Sequence, residues 1–150
     1  MKIIVLAGGL STERDVSLSS AAGICRTLVE KGHDAFLLDV FMGLENAPEN
    51  LEDVFTLPDH GLEIVKNIST EEPDLEAVKA SRPDQSDCFF GPNVIELCRL
   101  ADITFLGLHG GEGENGKLQA SFDLLGIKYT GPDSWMCGCN AQRCCKADLP

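Results

Sequence analysis

Two polar loops hold the residues best suited to chemistry. The first is Gly8-Gly9-Leu10-Ser11-Thr12-Glu13-Arg14-Asp15-Val16-Ser17, which follows an apolar run and leads into a helical pattern. A loop between a strand end and a helix N-terminus offers unpaired N–H groups and the positive end of the helix dipole. Asp15 or Ser17 suits the helix cap. Glu13 lies before the expected helix start, so capping does not account for it. A carboxylate there receives a substrate ammonium group, complements the helix dipole, or pairs with Arg14.

The second loop is His109-Gly110-Gly111-Glu112-Gly113-Glu114-Asn115-Gly116. Its Gly111-x-Gly113-x-x-Gly116 spacing, after a strand and before a helix, has the form of a dinucleotide-binding fingerprint. On that reading the chain is a stand-alone dinucleotide-binding or flavodoxin-like module. Two features oppose it. Glu112 and Glu114 would repel a pyrophosphate, and the loop sits in a late βα unit whereas the fingerprint opens the first. The glycines serve equally as tight turns with positive φ. His109 closes an apolar strand beside this turn, as a structural histidine or as one that meets a ligand. The chain has no evident serine–histidine–acid order. Cys137, Cys139, Cys144 and Cys145 lack zinc-site spacing and a companion histidine, so no metal site is expected.

The elements that position these loops follow from periodicity. Residues 2–7 are a continuous apolar run, read as a buried parallel strand. From Val16 to Lys31 the apolar residues keep helical spacing, and Gly32 stands at the C′ position. Cys25 and Cys98 fall in apolar helical patterns as core residues. Residues 34–40 form a second strand. The stretch 43–90 reads as an irregular insertion, with Leu62-Ile64-Val65 as a possible extra hairpin. Pro92 opens a short helix to Ala101, and Asp102–Leu108 is a strand. A helix over Gly116–Leu125 is capped by Gly126, and Ile127–Thr130 is the last strand. Alternating strands and helices give an α/β, three-layer, parallel-sheet Rossmann-like fold. Its ligands bind outside the carboxyl ends of the strands, where both loops lie.

Bulk properties narrow the classes. The formal net charge is −12, and residues 45–87 carry twelve acids and three bases, a net of −9. A surface of that sign repels phosphate backbones, which argues against nucleic acid as a partner; the acidic stretch reads as a solvated, variable excursion. No apolar run is long enough to span a bilayer, and the N-terminus lacks a secretory signal pattern. A cytoplasmic protein without a membrane partner is the expectation.

Together the loops resemble the D-alanine–D-alanine ligases of the ATP-grasp superfamily. The likeness is carried by Gly8-Gly9-Leu10-Ser11-Thr12-Glu13-Arg14-Asp15-Val16-Ser17-Leu18, by Leu108-His109-Gly110-Gly111-Glu112-Gly113-Glu114-Asn115-Gly116-Lys117-Leu118-Gln119, and by Leu124-Leu125-Gly126-Ile127-Lys128-Tyr129-Thr130-Gly131. It covers residues 1–134, with 43–90 as the variable part, and it implies the family's N-terminal, pre-ATP-grasp domain. The resemblance implies that ATP phosphorylates one D-alanine carboxylate and that the amine of a second D-alanine attacks it. The product dipeptide feeds peptidoglycan synthesis. It assigns Glu13 to the ammonium of the first D-alanine and His109 to the lining of that site as the second catalytic residue. Val16, Ser17 and Gly110 become substrate-binding residues. The resemblance further implies that ATP and Mg2+ bind later domains, that the full-length family enzyme is a homodimer, and that this portion alone is inactive. The family pattern continues with a small-residue helix ending in Met-x-Lys, which residues 135–150 do not show. Suitable codons for 134–150, read one base out of register, spell such a helix. The expectation is an atypical, frameshifted tail over 135–150.

Overall fold

The computed structural model describes residues 1–65 and 72–134. Strand β1 (Lys2–Ala7) is the centre of a three-stranded parallel sheet, flanked by β2 (Asp34–Asp39) and β3 (Ile103–Leu106). Ile4 pairs with Phe36 on one side and Thr104 on the other. Successive side chains of a strand point to opposite faces, and here both faces are covered. Ile4, Leu6, Phe36 and Leu38 pack with Val94, Leu97, Leu118 and Phe122. These come from α3 (Val94–Leu100) and α4 (Lys117–Leu125). Ile3, Val5, Ala7, Ala35 and Leu37 pack with Leu18, Ala21, Ala22 and Cys25 of α1 (Arg14–Glu30). The result is the expected three-layer α/β fold, with apolar runs in the strands because neither face meets water. Cys25 and Cys98 are core residues as expected, and burial pushes their thiols up to about 11 and about 12.

Several boundaries differ from the sequence pattern. Helix α1 begins at Arg14, two residues before Val16, and neither Asp15 nor Ser17 caps it. Glu13 occupies the cap position without a side-chain cap bond. The cause lies in Arg14. Its N–H bonds the Ser11 carbonyl at 3.1 Å, and its guanidinium turns inward to the Gly9 carbonyl and Asp39. Those bonds tighten the chain into helix early. At the other end Gly32 has φ +82° and His33 N–H bonds the Leu28 carbonyl at 3.1 Å, as a glycine C-cap requires. Pro92 does not open α3. Asn93, at φ +63°, precedes Val94, so the proline lies outside the first turn.

The acidic stretch is more structured than an irregular insertion. It holds a 3₁₀ turn at Leu51–Thr56, a second at Leu62–Val65, and α2 (Leu75–Ser81). Val54 and Phe55 are buried in the core, so the stretch is not wholly a solvated excursion. Leu62-Ile64-Val65 makes no hairpin. Leu62 and Val65 lie three apart, so they share one side of a 3₁₀ turn and pack on the core beneath α1, while Ile64 is exposed. Strand β3 is shorter than Asp102–Leu108. The expected strand Ile127–Thr130 contracts to a single parallel bridge between Thr104 and Tyr129. There the Thr130 hydroxyl accepts the Leu106 N–H at 3.1 Å in place of a backbone carbonyl, and Gly131 at φ +108° turns the chain away. The expected tail over 135–150, with its four cysteines, lies outside the described residues.

Candidate functional site

Because β1 and β3 are neighbours in the sheet, the loops leaving their carboxyl ends are neighbours too. Ser17 joins them. Its hydroxyl, fully buried, accepts the Gly8 N–H at 3.0 Å and donates to the Gly107 carbonyl at 2.8 Å. Ser11 adds a second stitch by donating to the His109 carbonyl at 2.7 Å. On the β2 side, Asp39 receives the N–H groups of Phe41 and Met42 at 2.9 and 3.1 Å and the Arg14 guanidinium. Gly8 must be glycine here. It sits at φ +74°, and a Cβ would stand 2.6 Å from an Asp39 oxygen.

The fold removes one of the three readings of Glu13, the pair with Arg14. Arg14 is committed to Asp39, so no Glu13–Arg14 pair forms. The exposed Glu13 carboxylate makes no hydrogen bond or ion pair with any described residue. It sits at the N-terminus of the seventeen-residue helix α1, whose dipole favours a negative charge. One of its oxygens lies 3.0 Å from the point a Cβ on Gly110 would occupy. Gly110 adopts φ 67°, ψ 178°, a region essentially reserved for glycine. The fold therefore brings Glu13 of the first loop against Gly110 of the second, with His109 next in the chain.

The half-buried His109 ring reaches α1, where its Nε2 is 3.3 Å from the Ser20 hydroxyl. Glu13, Val16, Ser17 and Ser20 follow the i, i+3, i+4, i+7 spacing of one helix face. Val16 is 62% exposed on that face, while Ser17 is inside with its hydrogen bonds spent on the strand ends. Ser20 is absent from the loop motifs, yet its helical spacing from Glu13 and Val16 marks it. Arg14 stands in the first motif, but its partner is Asp39 rather than Glu13; the signal for Asp39 was an acid closing the second apolar strand. Gln119, 3% exposed, holds the second loop by donating to the Gly113 carbonyl at 2.9 Å.

The glycine loop is not arranged for a dinucleotide. Gly111–Gly113 is a 3₁₀ turn. Glu112 accepts from Asn115 at 2.7 Å and Lys117 at 3.1 Å, and Asn115 hydrogen bonding, followed by the Lys117 contact, holds its carboxyl below the ordinary 4.5. The Asn115 side chain also takes the Lys117 N–H at 3.0 Å, one of the amides a phosphate would use at the start of α4. Among the described residues, no group of three or more His, Cys, Asp or Glu side chains could hold a metal ion.

A family model described as "D-ala D-ala ligase N-terminus" matches residues 2–132, nearly the whole described chain and both loops. The chain belongs to this D-alanine–D-alanine ligase family. A D-alanine–D-alanine ligase of Lacticaseibacillus casei is 49% identical over 131 residues, covering 87% of this chain and 36% of the relative. One from Pediococcus pentosaceus is 49% identical over 143 residues, covering 92% of this chain and 39% of the relative. The chain thus spans little more than a third of the length of these ligases. The solved D-alanine–D-alanine ligase of Coxiella burnetii shares the fold at TM-score 0.52 and 21% identity, over 97% of this chain and 42% of that one. The solved VanG D-Ala:D-Ser ligase of Enterococcus faecalis overlaps 91% of this chain and 37% of its own at TM-score 0.51 and 25% identity. Family membership favours the ligase reading over a stand-alone dinucleotide-binding or flavodoxin-like module.

Proposed function

We propose that this chain supplies the D-alanine-binding wall of an ATP-dependent D-alanine–D-alanine ligase. The observation that supports it best is the unpaired Glu13 carboxylate, set on a helix N-terminus against Gly110 and in the same loop cluster as His109. An unpaired carboxylate in a stitched, preorganised loop suits a primary ammonium group. The charge-assisted bond would fix the amino acid's orientation. On this reading Glu13 holds the ammonium of the first D-alanine and His109 lines the site and exchanges a proton. Gly110 lets the substrate approach the backbone, Val16 shapes the wall, and Ser17 keeps the two loops in register.

ATP and Mg2+ do not fit the described residues. Glu112 lies within the glycine turn and Glu114 directly follows it, and Lys117 is engaged by Glu112. We assign both to the parts of the longer ligases that this chain does not span. Peptidoglycan synthesis, a cytoplasmic location and a homodimeric whole enzyme belong to the same reading. No helix among the described residues is long and apolar enough to cross a membrane, which is compatible with it.

The test is a chimera. Residues 1–134 replace the matching part of the Lacticaseibacillus casei relative, and phosphate release from ATP is followed against D-alanine. Release should depend on D-alanine. Glu13→Gln should raise the D-alanine KM about 10–100-fold, the equivalent of roughly 1.5–3 kcal/mol for a hydrogen bond to a charged group. An unchanged KM removes Glu13 from the ammonium site.

A further inference from the structure

The Ser20 hydroxyl has one hydrogen, and it goes to the Ser17 carbonyl at 3.1 Å, one turn back in α1. Serine in a helix commonly bonds backward in this way. The oxygen then has only lone pairs left to offer. Nε2 of His109 lies 3.3 Å from that same oxygen. Two lone pairs facing each other repel, so this contact is attractive only when Nε2 carries a hydrogen. We infer that Ser20 is a positioning residue that holds neutral His109 as its Nε2–H tautomer and leaves Nδ1 as the accepting nitrogen.

The surroundings reinforce this assignment. The His109 carbonyl is pinned by Ser11 at 2.7 Å, so the backbone that carries the ring is fixed independently of it. His60 supplies the opposite case within the same fold. Its Nδ1 lies 3.1 Å from the Ala35 carbonyl, which can only accept, so His60 is the Nδ1–H tautomer. The chain's third histidine, His33, has a ring with no hydrogen bond among the described residues and serves as the reference for the tautomer mixture of an unconstrained ring.

A neutral imidazole has one donor and one acceptor. With the donor held by Ser20, His109 meets a ligand through the Nδ1 lone pair. It therefore selects a hydrogen-bond donor, the ammonium of an amino acid, over a carboxylate. This consequence rests on the proposed D-alanine reading; the tautomer itself does not.

The experiment uses the whole 150-residue chain labelled with 15N at histidine. Long-range 1H–15N correlation spectra are recorded at a pH where the rings are neutral. The expected pattern shows Nε2 protonated in His109 and Nδ1 protonated in His60. Ser20→Ala should move both His109 nitrogens toward the averaged positions of His33, whereas Ser20→Thr should keep the single-tautomer pattern. Unchanged His60 signals establish that each variant is folded. Protonated Nδ1 in wild-type His109, or a His109 pattern indifferent to Ser20→Ala, overturns the assignment. In the chimera with the Lacticaseibacillus casei relative, which restores the rest of the site, D-alanine should shift the His109 Nδ1 resonance and propionate, which lacks the ammonium, should not. Equal shifts with both overturn the donor preference. No shift with either removes the D-alanine reading and leaves the tautomer standing.

Discussion

Ser17 illustrates how one hydroxyl can decide whether a site exists. It is entirely inside the protein, and its donor and acceptor capacities both go to backbone groups, one at the end of β1 and one just past β3. Ser17→Ala leaves a buried N–H and a buried carbonyl without a partner. A deserted buried group costs its desolvation, roughly 1–3 kcal/mol, so this variant should lose about 2–4 kcal/mol. Urea unfolding measures it; a loss under about 0.5 kcal/mol would mean that the strand ends are not held through this hydroxyl. The motif that contains Ser17 was legible in the sequence, but its role was not. A serine near a helix start has the appearance of a cap, and only the register of β1 against β3 turns it into a link between strands. The same holds for Arg14. Its charge stood next to Glu13 in sequence, whereas the fold sends it to Asp39 and frees Glu13.

Among the elements, strands were the most legible because burial on both faces leaves an uninterrupted apolar run. The stretch after β2 was the least legible because its order comes from single long-range contacts. Arg82 is the clearest of these. It is 1% exposed, lies over the Phe41 ring at 4.7 Å, pairs with Asp84, and donates to the carbonyls of Cys88 and Phe90. One side chain thus fastens residues 82–90 to the sheet end. No periodicity announces such a residue. Arg82→Met should cost roughly 2–4 kcal/mol by leaving both carbonyls unpaired, and limited proteolysis should then cut within 82–90. Resistance equal to wild type would assign the order of that stretch to other contacts. The 111–117 turn makes a pH prediction. Glu112 is held below 4.5 by Asn115 and Lys117, so its carboxylate is bonded more strongly in the folded chain than in the unfolded one. A depressed folded value adds stability that is present above the ordinary carboxylate range and is lost as pH falls through the folded value. Acidification below 4.5 should therefore narrow the stability gap between wild type and Glu112→Gln, read from urea midpoints. A gap that stays constant through that range would show that the turn does not depend on the ionised carboxyl.

For the molecule as a whole, the question is which residues make one cooperative unit. Both faces of the sheet are closed by described residues, α1 on one side and α3, α4 and the 51–56 turn on the other. The sheet edges are covered too. The Leu37 N–H on the outer side of β2 bonds the His60 carbonyl at 2.9 Å, and the outer side of β3 meets Lys128 and Thr130. Covered edges remove the unpaired backbone that invites pairing with other chains. The last described turn is tied back by Asp123, which accepts from Tyr129 at 2.8 Å and Ser134 at 2.7 Å. Every layer and edge is thus complete by residue 134, and we propose 1–134 as the folding unit. A chain ending at Ser134 should unfold in a single urea transition, within about 0.5 kcal/mol of the 150-residue chain, as independent surface changes do. It should also keep the amide-exchange protection of β1 and β3. A drop of more than about 1 kcal/mol, or exchange opening along β3, would place residues beyond 134 inside the cooperative core. The Glu13–His109 site would then depend on chain that the sheet, as described, does not require.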